Sequence, residues 1–537
     1  MKTRFWLLGI LLFAFLIRVI GIETLPLYGD ELTIIYDSYS IFKTGKDSTG
    51  ISFPLTFPMG AGRPGGYVYT SVPFVALFGP GAIGVRALSV LSGVGIVYLL
   101  YFLGKKLFSQ KVGLFASMLG AVSLWDISLS RGGFEAHLAL FLALLGTVFF
   151  IYSKEEKRFL LPWAISWGLA IHTYPTYKLT LPLFFFALFW FLGGFKRVVN
   201  RTFVISILIL AVFALFSLRE TFFGISETRF LNLNAFSQEE VREAITQKVN
   251  YERTYNQLPE KVAVFFHNKP IEYLSLIGET YRSNFSLNFL FINGDKNPRH
   301  NPSEMGVAYL IELLLIFLGV VALWGRNRKS LLFLVLWLLV SPIAGAFLLD
   351  THSLRSSFML PPLILLSASG LSYVIDIKNK RRVLLLSVIA FAWFLQFLFF
   401  VERVYFLAPN KFATFWSYPA KRASELAIQK RDDYEAIFIS DKIDNVEFAY
   451  PVYSTFNPEE KSVVEIVDAY RFKNFKNVYV GAIPEADEER FFGNLNKKAL
   501  YIKEYNASYK VKDGDEIINL PDTRPALVLR IYEKVFK

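Results

Sequence analysis

Residues 5–22 read FWLLGILLFAFLIRVIGI, and this mostly apolar run indicates the class of fold. About 18 to 20 apolar residues span the roughly 30 Å hydrocarbon core of a bilayer as a helix, because a helix satisfies its backbone hydrogen bonds internally. Lys2 and Arg4 precede the run, and no small-residue cleavage site stands before Glu23–Leu25. The stretch therefore predicts an uncleaved signal anchor, the first of several membrane spans.

Ten further apolar runs follow the first. Hydrophobic residues make up 53% of the chain and the mean hydropathy is +0.39, which excludes an ordinary soluble protein. Pro175 and the polar residues 172–178 interrupt the fifth and sixth runs. The sequence predicts an α-helical polytopic membrane protein of about eleven spans. These cover residues 5–22, 83–103, 112–129, 134–152, 159–175, 178–194, 202–219, 306–324, 330–349, 357–375 and 384–403.

Basic residues concentrate in alternate connections between the spans, whereas the opposite short connections hold only Arg131, Lys178 and Arg355. Basic connections remain in the cytoplasm, so the N-terminus is predicted inside and the C-terminal segment outside the cell membrane. The net charge of +12 is thus explained by topology and indicates no nucleic-acid partner. The basic set comprises Lys2, Arg4, Lys105, Lys106, Lys111, Lys154, Lys157, Arg158, Lys196, Arg197, Arg201, Arg326, Arg328, Lys329, Lys378, Lys380, Arg381 and Arg382.

Three segments are predicted outside and long enough to fold, at residues 23–82, 220–305 and 404–537. In the first, Glu31–Phe42 has the spacing of an amphipathic helix in the membrane interface. In the second, Ser237–Glu240 is a capping-box pattern that starts a polar helix, and Ile271–Phe291 is a second stretch expected to contact the membrane.

Strand-like and helix-like runs alternate in the third outer segment. This pattern predicts a small extracytoplasmic α/β domain. The chain is therefore divided into a transmembrane domain, residues 1–404, and a soluble domain, residues 405–537. The strand-like runs are Ala436–Ile439, Val478–Val480, Ala499–Ile502 and Ala526–Ile531, and the helix-like runs are Pro419–Lys430 and Lys461–Tyr470.

Acidic and basic residues gather on the predicted outer side of the membrane. Charges beside lipid are costly unless they serve a site, although single charges also pair or extend to water at the interface. The set comprises Asp30, Glu31, Arg63, Arg86, Arg131, Glu135, Lys178 and Arg355.

An ordered set of motifs runs through residues 1–405. The motifs are Leu25–Glu31, Arg63–Tyr67, Gly84–Ser89, Leu103–Phe108, Leu129–Glu135, Thr173–Lys178, Phe285–His300, Ser353–Arg355 and Leu360–Pro362. This set resembles the protein O-mannosyltransferase and aminoarabinose transferase superfamily, whose members are membrane glycosyltransferases of the GT-C fold. Two positions depart from the family pattern: Arg63-Pro64-Gly65 stands where Lys or His is often followed by two prolines, and Glu135 stands where relatives commonly have Asp or another residue.

This resemblance implies transfer of a sugar from a polyprenyl-phosphate donor to an extracytoplasmic acceptor, with inversion at the anomeric carbon. The departing phosphate needs cations, for which Arg63, Arg86, Lys178 and Arg355 are the candidates. A carboxylate must take the proton of the acceptor, and Asp30 is the candidate for this general base. Glu31 is expected to orient the acceptor or base. Further substrate contacts are expected from Arg131, Glu135, Arg299 and His300.

No cofactor is required by this chemistry, and a divalent metal is compatible with it but not predicted. His172, His267, His300 and His352 are interpreted as polar loop or interface residues. The acceptor, whether protein, lipid or glycan, and the identity of the sugar have no signal in the sequence. A lipid or solute transporter is the alternative, but transporters place charges near the midplane and often contain repeats. A scaffold that displays residues 404–537 is a third hypothesis.

Overall fold

The computed structural model describes residues 2–58, 62–194, 199–224, 236–378, 381–458, 463–495, 497–507 and 511–533. The chain forms two compact units. The first unit comprises Met1–Ile20, Leu55–Tyr67 and Ser89–Val401, and the second comprises Gly21–Pro54, Val68–Leu88 and Glu402–Lys537. Two segments near the N-terminus therefore belong with the C-terminal region, whereas the division into residues 1–404 and 405–537 stays a prediction.

Helices dominate the chain up to residue 430. In chain order they are α1 Lys2–Val19, α2 Gly29–Thr44, α3 Gly66–Phe78, α4 Ala82–Leu107, α5 Gln110–Ala121, α6 Leu124–Ser130, α7 Glu135–Tyr152, α8 Leu160–Ile171, α9 Tyr177–Leu192, α10 Arg201–Phe223, α11 Glu239–Tyr255, α12 Glu260–Phe266, α13 Lys269–Ser283, α14 Leu310–Arg326, α15 Arg328–Val340, α16 Ile343–Ala346, α17 Leu360–Asp376, α18 Arg381–Glu402, α19 Ala408–Lys411, α20 Tyr418–Lys430, α21 Val446–Tyr453 and α22 Glu488–Leu495.

The predicted spans coincide with helices, but their total of eleven is not confirmed. Among the described residues, six helices are long and apolar enough to cross a membrane, or seven if α5 and α6, which meet at 53°, form one broken span. The others are shorter or more charged: α8 has 12 residues and α9 has 16, while α1 contains Lys2, Arg4 and Arg18. Lys196, Arg197 and Lys380, part of the predicted cytoplasmic charge, lie outside the described residues.

The segments predicted to lie outside the membrane contain the two helices that the sequence predicts, with different bounds. Helix α2 extends beyond the predicted Glu31–Phe42, and α11 begins at Glu239 with Gln238, not Ser237, as its N-cap residue. The expected Ser237 cap is therefore wrong by one residue. An apolar helix that the patterns did not predict, α3, follows a two-stranded antiparallel sheet of β1 Thr56–Phe57 and β2 Arg63–Pro64.

The C-terminal region contains a mixed seven-stranded sheet. It is built from β3 Ala436–Ser440, β4 Val463–Val467, β5 Tyr470–Phe475, β6 Val478–Gly481, β7 Ala499–Glu504, β8 Glu516–Asn519 and β9 Pro525–Tyr532. The strand order is β4-β5-β6-β3-β7-β9-β8. Its centre is parallel, with β3 between β6 and β7, and all five side chains of β3 are buried. The four predicted strands are confirmed.

The helix predicted over Lys461–Tyr470 is wrong, because Val463–Val467 is strand β4. This stretch contains Val463, Val464, Ile466 and Val467, and β-branched side chains favour an extended backbone. Strand β4 pairs antiparallel with β5, which supplies the hydrogen bonds that a local helix would have made. Residues 461 and 462 lie outside the described part of the chain.

Arg18 fixes the bend between α5 and α6 in the first unit. Its side chain is completely buried, and it donates to the Gly120 and Ala121 carbonyl oxygens at 3.1 and 2.9 Å and to Asp126 Oδ2 at 2.6 Å. The other Asp126 oxygen is 2.8 Å from His137 Nε2. The guanidinium thus satisfies the carbonyl groups that end α5 and pairs with the carboxylate that begins α6.

Replacing Arg18 by Met should lower the free energy of unfolding by about 3–5 kcal/mol, because Asp126 would remain buried without its cationic partner. Thermal unfolding of the purified protein in lipid nanodiscs measures this change. Arg4→Met is the matched control, since Arg4 lies on the same helix but is exposed. Equal stability of the two variants would show that the buried network does not hold this bend.

Candidate active site

Asp30 and Glu31 lie in the first turn of α2, in the second unit. Successive residues on a helix point about 100° apart, so the two carboxylates face different surroundings. Glu31 is completely buried, whereas Asp30 is exposed. Solvent or a substrate can therefore reach the Asp30 carboxylate but not the Glu31 carboxylate.

Arg86, near the start of α4, holds the chain that leads into α2. The guanidinium is completely buried and makes two bonds of 2.6 Å, from Nε and Nη2, to the carboxylate oxygens of Glu31. It also donates to the carbonyl oxygens of Ile22, Leu25 and Pro26 at 2.6, 2.9 and 2.8 Å. An arginine side chain has five N–H donors, and these five contacts use them all. Glu31 also accepts the Tyr28 backbone N–H at 3.3 Å.

Residues of the C-terminal region complete the surroundings of this turn within the second unit. Trp416 is buried, and its ring lies 5.3 Å from the Tyr28 ring and 5.5 Å from the Arg86 guanidinium. A Cβ atom at Gly29 would lie too close to the side-chain amide of Asn445, which would have to move. The segment that follows α18 thus supports the position of Asp30.

Arg63 and Glu135 form an ion pair in the first unit. Arg63 is buried on β2, where it lies opposite Phe57 of β1, and Glu135 is the first residue of α7. The two residues predicted for phosphate binding and substrate contact are therefore brought together. A phosphate that approached Arg63 would compete with the Glu135 carboxylate for the same guanidinium.

A second group of predicted residues meets around Asp295 in the first unit. Asp295 Oδ2 lies 3.4 Å from His300 Nδ1 and 3.7 Å from His352 Nδ1, and the two imidazole rings are 4.2 Å apart. The ligand atoms of these three residues all lie within 4.8 Å of one another, so they could hold a metal ion. Arg355 donates to Asp350 at 2.9 Å.

The charged groups of this cluster shift one another's pKa values. Burial acts to raise the pKa of Asp295, but His300 and His352 outweigh it and hold that pKa well below its ordinary value. Burial, together with the charge of His300, lowers the pKa of His352 from 6.5 to about 3. At neutral pH, Asp295 is therefore ionised and the His352 ring is neutral.

The remaining predicted residues have other partners. Arg131 is buried and donates to the Ile20 carbonyl oxygen at 2.7 Å, and Lys178 donates to the Thr221 hydroxyl at 2.6 Å. Arg299 is half-buried beside His300. Two predicted histidines lie away from Asp295: His172 Nε2 is 2.9 Å from the Phe213 carbonyl oxygen, and His267 Nδ1 is 2.7 Å from Glu252.

Several contacts of these sites have no local signal in the sequence. Asp295 lies in the Gly294–His300 motif, but its closeness to His352 depends on two loops that are distant along the chain. Trp416 and Asn445 belong to a region where the patterns indicate only strands and helices. Phe134 shows how folding joins the motifs, since its ring lies 5.5 Å from that of His300.

Comparison with known proteins defines the fold. Residues 64–218 match the sequence family described as dolichyl-phosphate-mannose-protein mannosyltransferase. No curated protein matches the chain significantly in sequence. Two crystal structures of ArnT from Cupriavidus metallidurans, one bound to undecaprenyl phosphate and one in the apo state, are similar to it with TM-scores of 0.52 and 0.53. Each comparison covers 98% of this chain and 98% of ArnT at 13% identity.

This likeness in structure confirms the GT-C fold that the motifs predict. The chain is a membrane protein with the architecture of GT-C glycosyltransferases.

Proposed function

We propose that the chain is an inverting glycosyltransferase that moves a sugar from a polyprenyl-phosphate donor to an acceptor outside the cell membrane. The observation that carries this function is the first turn of α2, where Asp30 is exposed while Glu31 is buried against Arg86. ArnT, which has a similar fold, was crystallised with bound undecaprenyl phosphate. This likeness supports a lipid-linked donor. The match of residues 64–218 to a mannosyltransferase family supports the same class of reaction.

In this mechanism Asp30 is the general base. An acceptor hydroxyl or amine forms a new bond to the anomeric carbon while its proton moves to the Asp30 carboxylate. The bond from the anomeric carbon to the phosphate oxygen breaks at the same time, and its electron pair remains on the departing polyprenyl phosphate. Attack from the face opposite the phosphate inverts the anomeric carbon.

Glu31 and Arg86 act as positioning residues. Both Glu31 oxygens accept short bonds from Arg86, and this carboxylate is shielded from solvent, so it is poorly suited to take a proton from an acceptor. The sequence assigns Arg86 to the donor phosphate, and this assignment stays a prediction. All five N–H donors of Arg86 are used by groups of the protein itself. This favours a different role for Arg86, which is to fix the conformation of residues 22–31 and thereby the position of Asp30.

Cations stabilise the departing phosphate in this mechanism. We assign this role to Lys178, Arg63 and Arg355, as the sequence motifs predict. Lys178 donates to the Thr221 hydroxyl, and Arg63 and Arg355 pair with Glu135 and Asp350. We also assign contacts with the substrates to four further residues, which are Arg131, Glu135, Arg299 and His300.

Replacing Lys178 by Met should lower the transfer rate by about 10²–10³-fold, because a preorganised donor at a developing negative charge is lost. The rate is measured with the purified protein and a saturating donor. Lys154→Met serves as the control, since Lys154 is exposed in a predicted cytoplasmic connection. A Lys178→Met variant as active as the Lys154→Met variant would remove Lys178 from the proposed mechanism.

A strain that lacks the chain tests the function itself. We expect it to lose one class of extracytoplasmic glycan and to accumulate one polyprenyl-phosphate sugar, both measured by mass spectrometry of glycans and lipids. The natural chain should reverse both changes, and an Asp30→Asn chain should reverse neither. A change in the flux of a solute or lipid with unaltered glycans would instead support the transporter hypothesis.

A further inference from the structure

A cleft of about 540 Å³ lies in the second unit, beside the C-terminal half of α2. Its lining includes Tyr36, Lys43 and Thr44 of α2, the loop of residues 46–50 and Pro458. Binding sites for small molecules usually have volumes of about 300–1,000 Å³, so the cleft has room for a ligand. The proposed transfer reaction assigns no role to it.

Asp47 brings a buried carboxylate to the lining of this cleft, with only 3% of the residue exposed. Its Oδ1 accepts the Thr49 and Ile51 backbone N–H groups at 2.9 and 2.8 Å and the Thr49 hydroxyl at 2.8 Å. Its Oδ2 has no hydrogen-bond partner among the described residues. Buried oxygens of this kind are normally paired, because an unmade bond to a charged group is costly. The arrangement therefore points to a donor that a ligand supplies.

The loop that carries Asp47 is fixed by bonds to α2. Gly45 ends the helix in the left-handed region, with φ of 69°, and its N–H donates to the Ile41 carbonyl oxygen at 2.9 Å. The Ser48 N–H donates to Asp37 Oδ1 at 3.0 Å. The Ser48 hydroxyl, by contrast, is buried without a partner in the part of the chain that the structure describes. Two consecutive residues thus offer hydrogen-bonding oxygens on a preorganised loop, which lowers the cost of binding.

The other groups of the cleft indicate the class of ligand. Lys43 and Lys46 are exposed and line the same cleft, and their charges disfavour a metal cation beside Asp47. The two ammonium groups can instead donate to ligand oxygens. The Tyr36 ring stacks on the Phe456 ring with 4.2 Å between ring centres, and it supplies a flat apolar surface. A pyranose ring has the hydroxyl donors, the oxygen acceptors and the apolar face that match these groups.

Helix α2 sets the distance between this cleft and the proposed base. A helix rises about 1.5 Å per residue, so the backbones of Asp30 and Thr44 lie about 20 Å apart along α2. A sugar in the cleft is therefore too far away to react beside Asp30. It belongs to a remote part of a longer molecule whose reacting group lies at Asp30, and in the proposed mechanism that molecule is the acceptor.

We propose that this cleft binds a saccharide unit of the acceptor, and that the acceptor is accordingly a glycan chain. Asp47 Oδ2 accepts a hydroxyl of the bound unit, Lys43 and Lys46 donate to its oxygens, and the Tyr36 ring packs against its apolar face. The identity of the acceptor rests on the proposed function. The binding of a saccharide in the cleft does not.

Equilibrium dialysis tests the cleft without requiring transfer. The probe is the oligosaccharide fraction released from the surface glycans of the strain that lacks the chain, and the protein is the full chain in nanodiscs. Asp47→Asn keeps one oxygen for the three bonds to Oδ1 but replaces Oδ2 by an NH₂ group. We expect about 10–100-fold weaker binding, because a hydrogen bond to a carboxylate is lost. The unfolding temperature should not fall.

Asp432→Asn is the matched control. Asp432 belongs to the same unit, and its side chain is 93% exposed. This variant removes the same charge and should bind the oligosaccharides as tightly as the natural chain. Equal losses in the two variants would show an effect of net charge and overturn the proposal.

Steady-state kinetics connects the cleft to transfer. Asp47→Asn should raise the KM for the acceptor about 10–100-fold and leave kcat within about twofold, as expected when binding remote from the reacting atoms is lost. The KM for the donor should not change. A rise in the KM for the donor alone would assign the cleft to the donor and contradict a glycan acceptor bound there.

The remaining outcomes are equally decisive. The proposal is overturned if the natural chain binds no oligosaccharide, or if it binds peptides released from the same strain in their place. A lower unfolding temperature of Asp47→Asn would also overturn it, since Oδ2 would then have a structural partner. Saccharide binding that Asp47→Asn weakens, in a chain that transfers no sugar, would support the cleft and contradict the proposed function.

Discussion

The Asp30→Asn variant should transfer sugar about 10²–10⁴-fold more slowly than the natural chain, because an amide cannot accept the proton of the attacking acceptor. Its fold should be nearly unchanged. Asp30 is exposed, and its favourable interaction with the helix N-terminus is worth less than about 1 kcal/mol. The measurement is the initial rate of product formation with donor and acceptor both saturating, which reports the chemical step rather than binding.

Glu23→Gln is the control for this prediction. Glu23 is also an exposed carboxylate of the second unit, seven positions before Asp30 on the same segment. Glu23→Gln removes one unit of negative charge from this segment, as Asp30→Asn does, but removes no proposed base. We therefore expect Glu23→Gln to stay within about threefold of the natural rate, in line with the small effects of surface substitutions. Equal losses in the two variants would indicate a general effect of negative charge and not proton transfer by Asp30.

The second large effect is expected at Arg86. Arg86→Met should lower the free energy of unfolding by about 3–5 kcal/mol, because Glu31 would remain buried as an unpaired carboxylate. Three carbonyl oxygens of residues 22–26 would lose their donors as well. Transfer should fall with stability, since the turn that holds Asp30 would no longer be fixed. Unfolding in nanodiscs and the transfer rate are measured on the same samples.

The control for Arg86 is Arg422→Met, on α20 of the same unit. Arg422 is paired with Glu425 but 38% exposed, and such surface pairs contribute about 0–1 kcal/mol. Arg86→Lys distinguishes positioning from phosphate binding. A positioning role predicts lower stability and a lower kcat, because one ammonium cannot replace five directed N–H donors. A variant that raises only the KM for the donor, with full stability, would instead support the sequence-based assignment to phosphate.

The sequence predicts local features of this molecule well. The helical period alone predicts that the side chains of Asp30 and Glu31 in α2 point in different directions. Hydropathy identifies the apolar helical segments. Helix lengths are harder to predict, because polar contacts end or bend a helix inside an apolar run. The predicted span 112–129 is bent after Ala121, where the carbonyl oxygens of Gly120 and Ala121 accept hydrogen bonds from Arg18. That contact joins residues too far apart in sequence for a local pattern to reveal it.

The pairing of side chains was also outside the reach of local patterns. The motifs place Glu31, Arg86, Arg63 and Glu135 in a common set, but only the folded chain shows which acid each arginine meets. The same limit applies to the histidines, since His300 and His352 are brought together by two separate loops. Single residues in polar loops therefore appeared ordinary until their neighbours were known.

The most direct test of the proposed base follows the departure of polyprenyl phosphate. Lipids extracted from a strain that lacks the chain supply the donor, and nanodiscs contain either the natural chain or the Asp30→Asn variant. With acceptor present, we expect the natural chain to release polyprenyl phosphate and to form a product of inverted anomeric configuration, and the variant to release almost none. Release at the natural rate by Asp30→Asn, or a product that retains the configuration of the donor, would contradict Asp30 as the base of an inverting transfer.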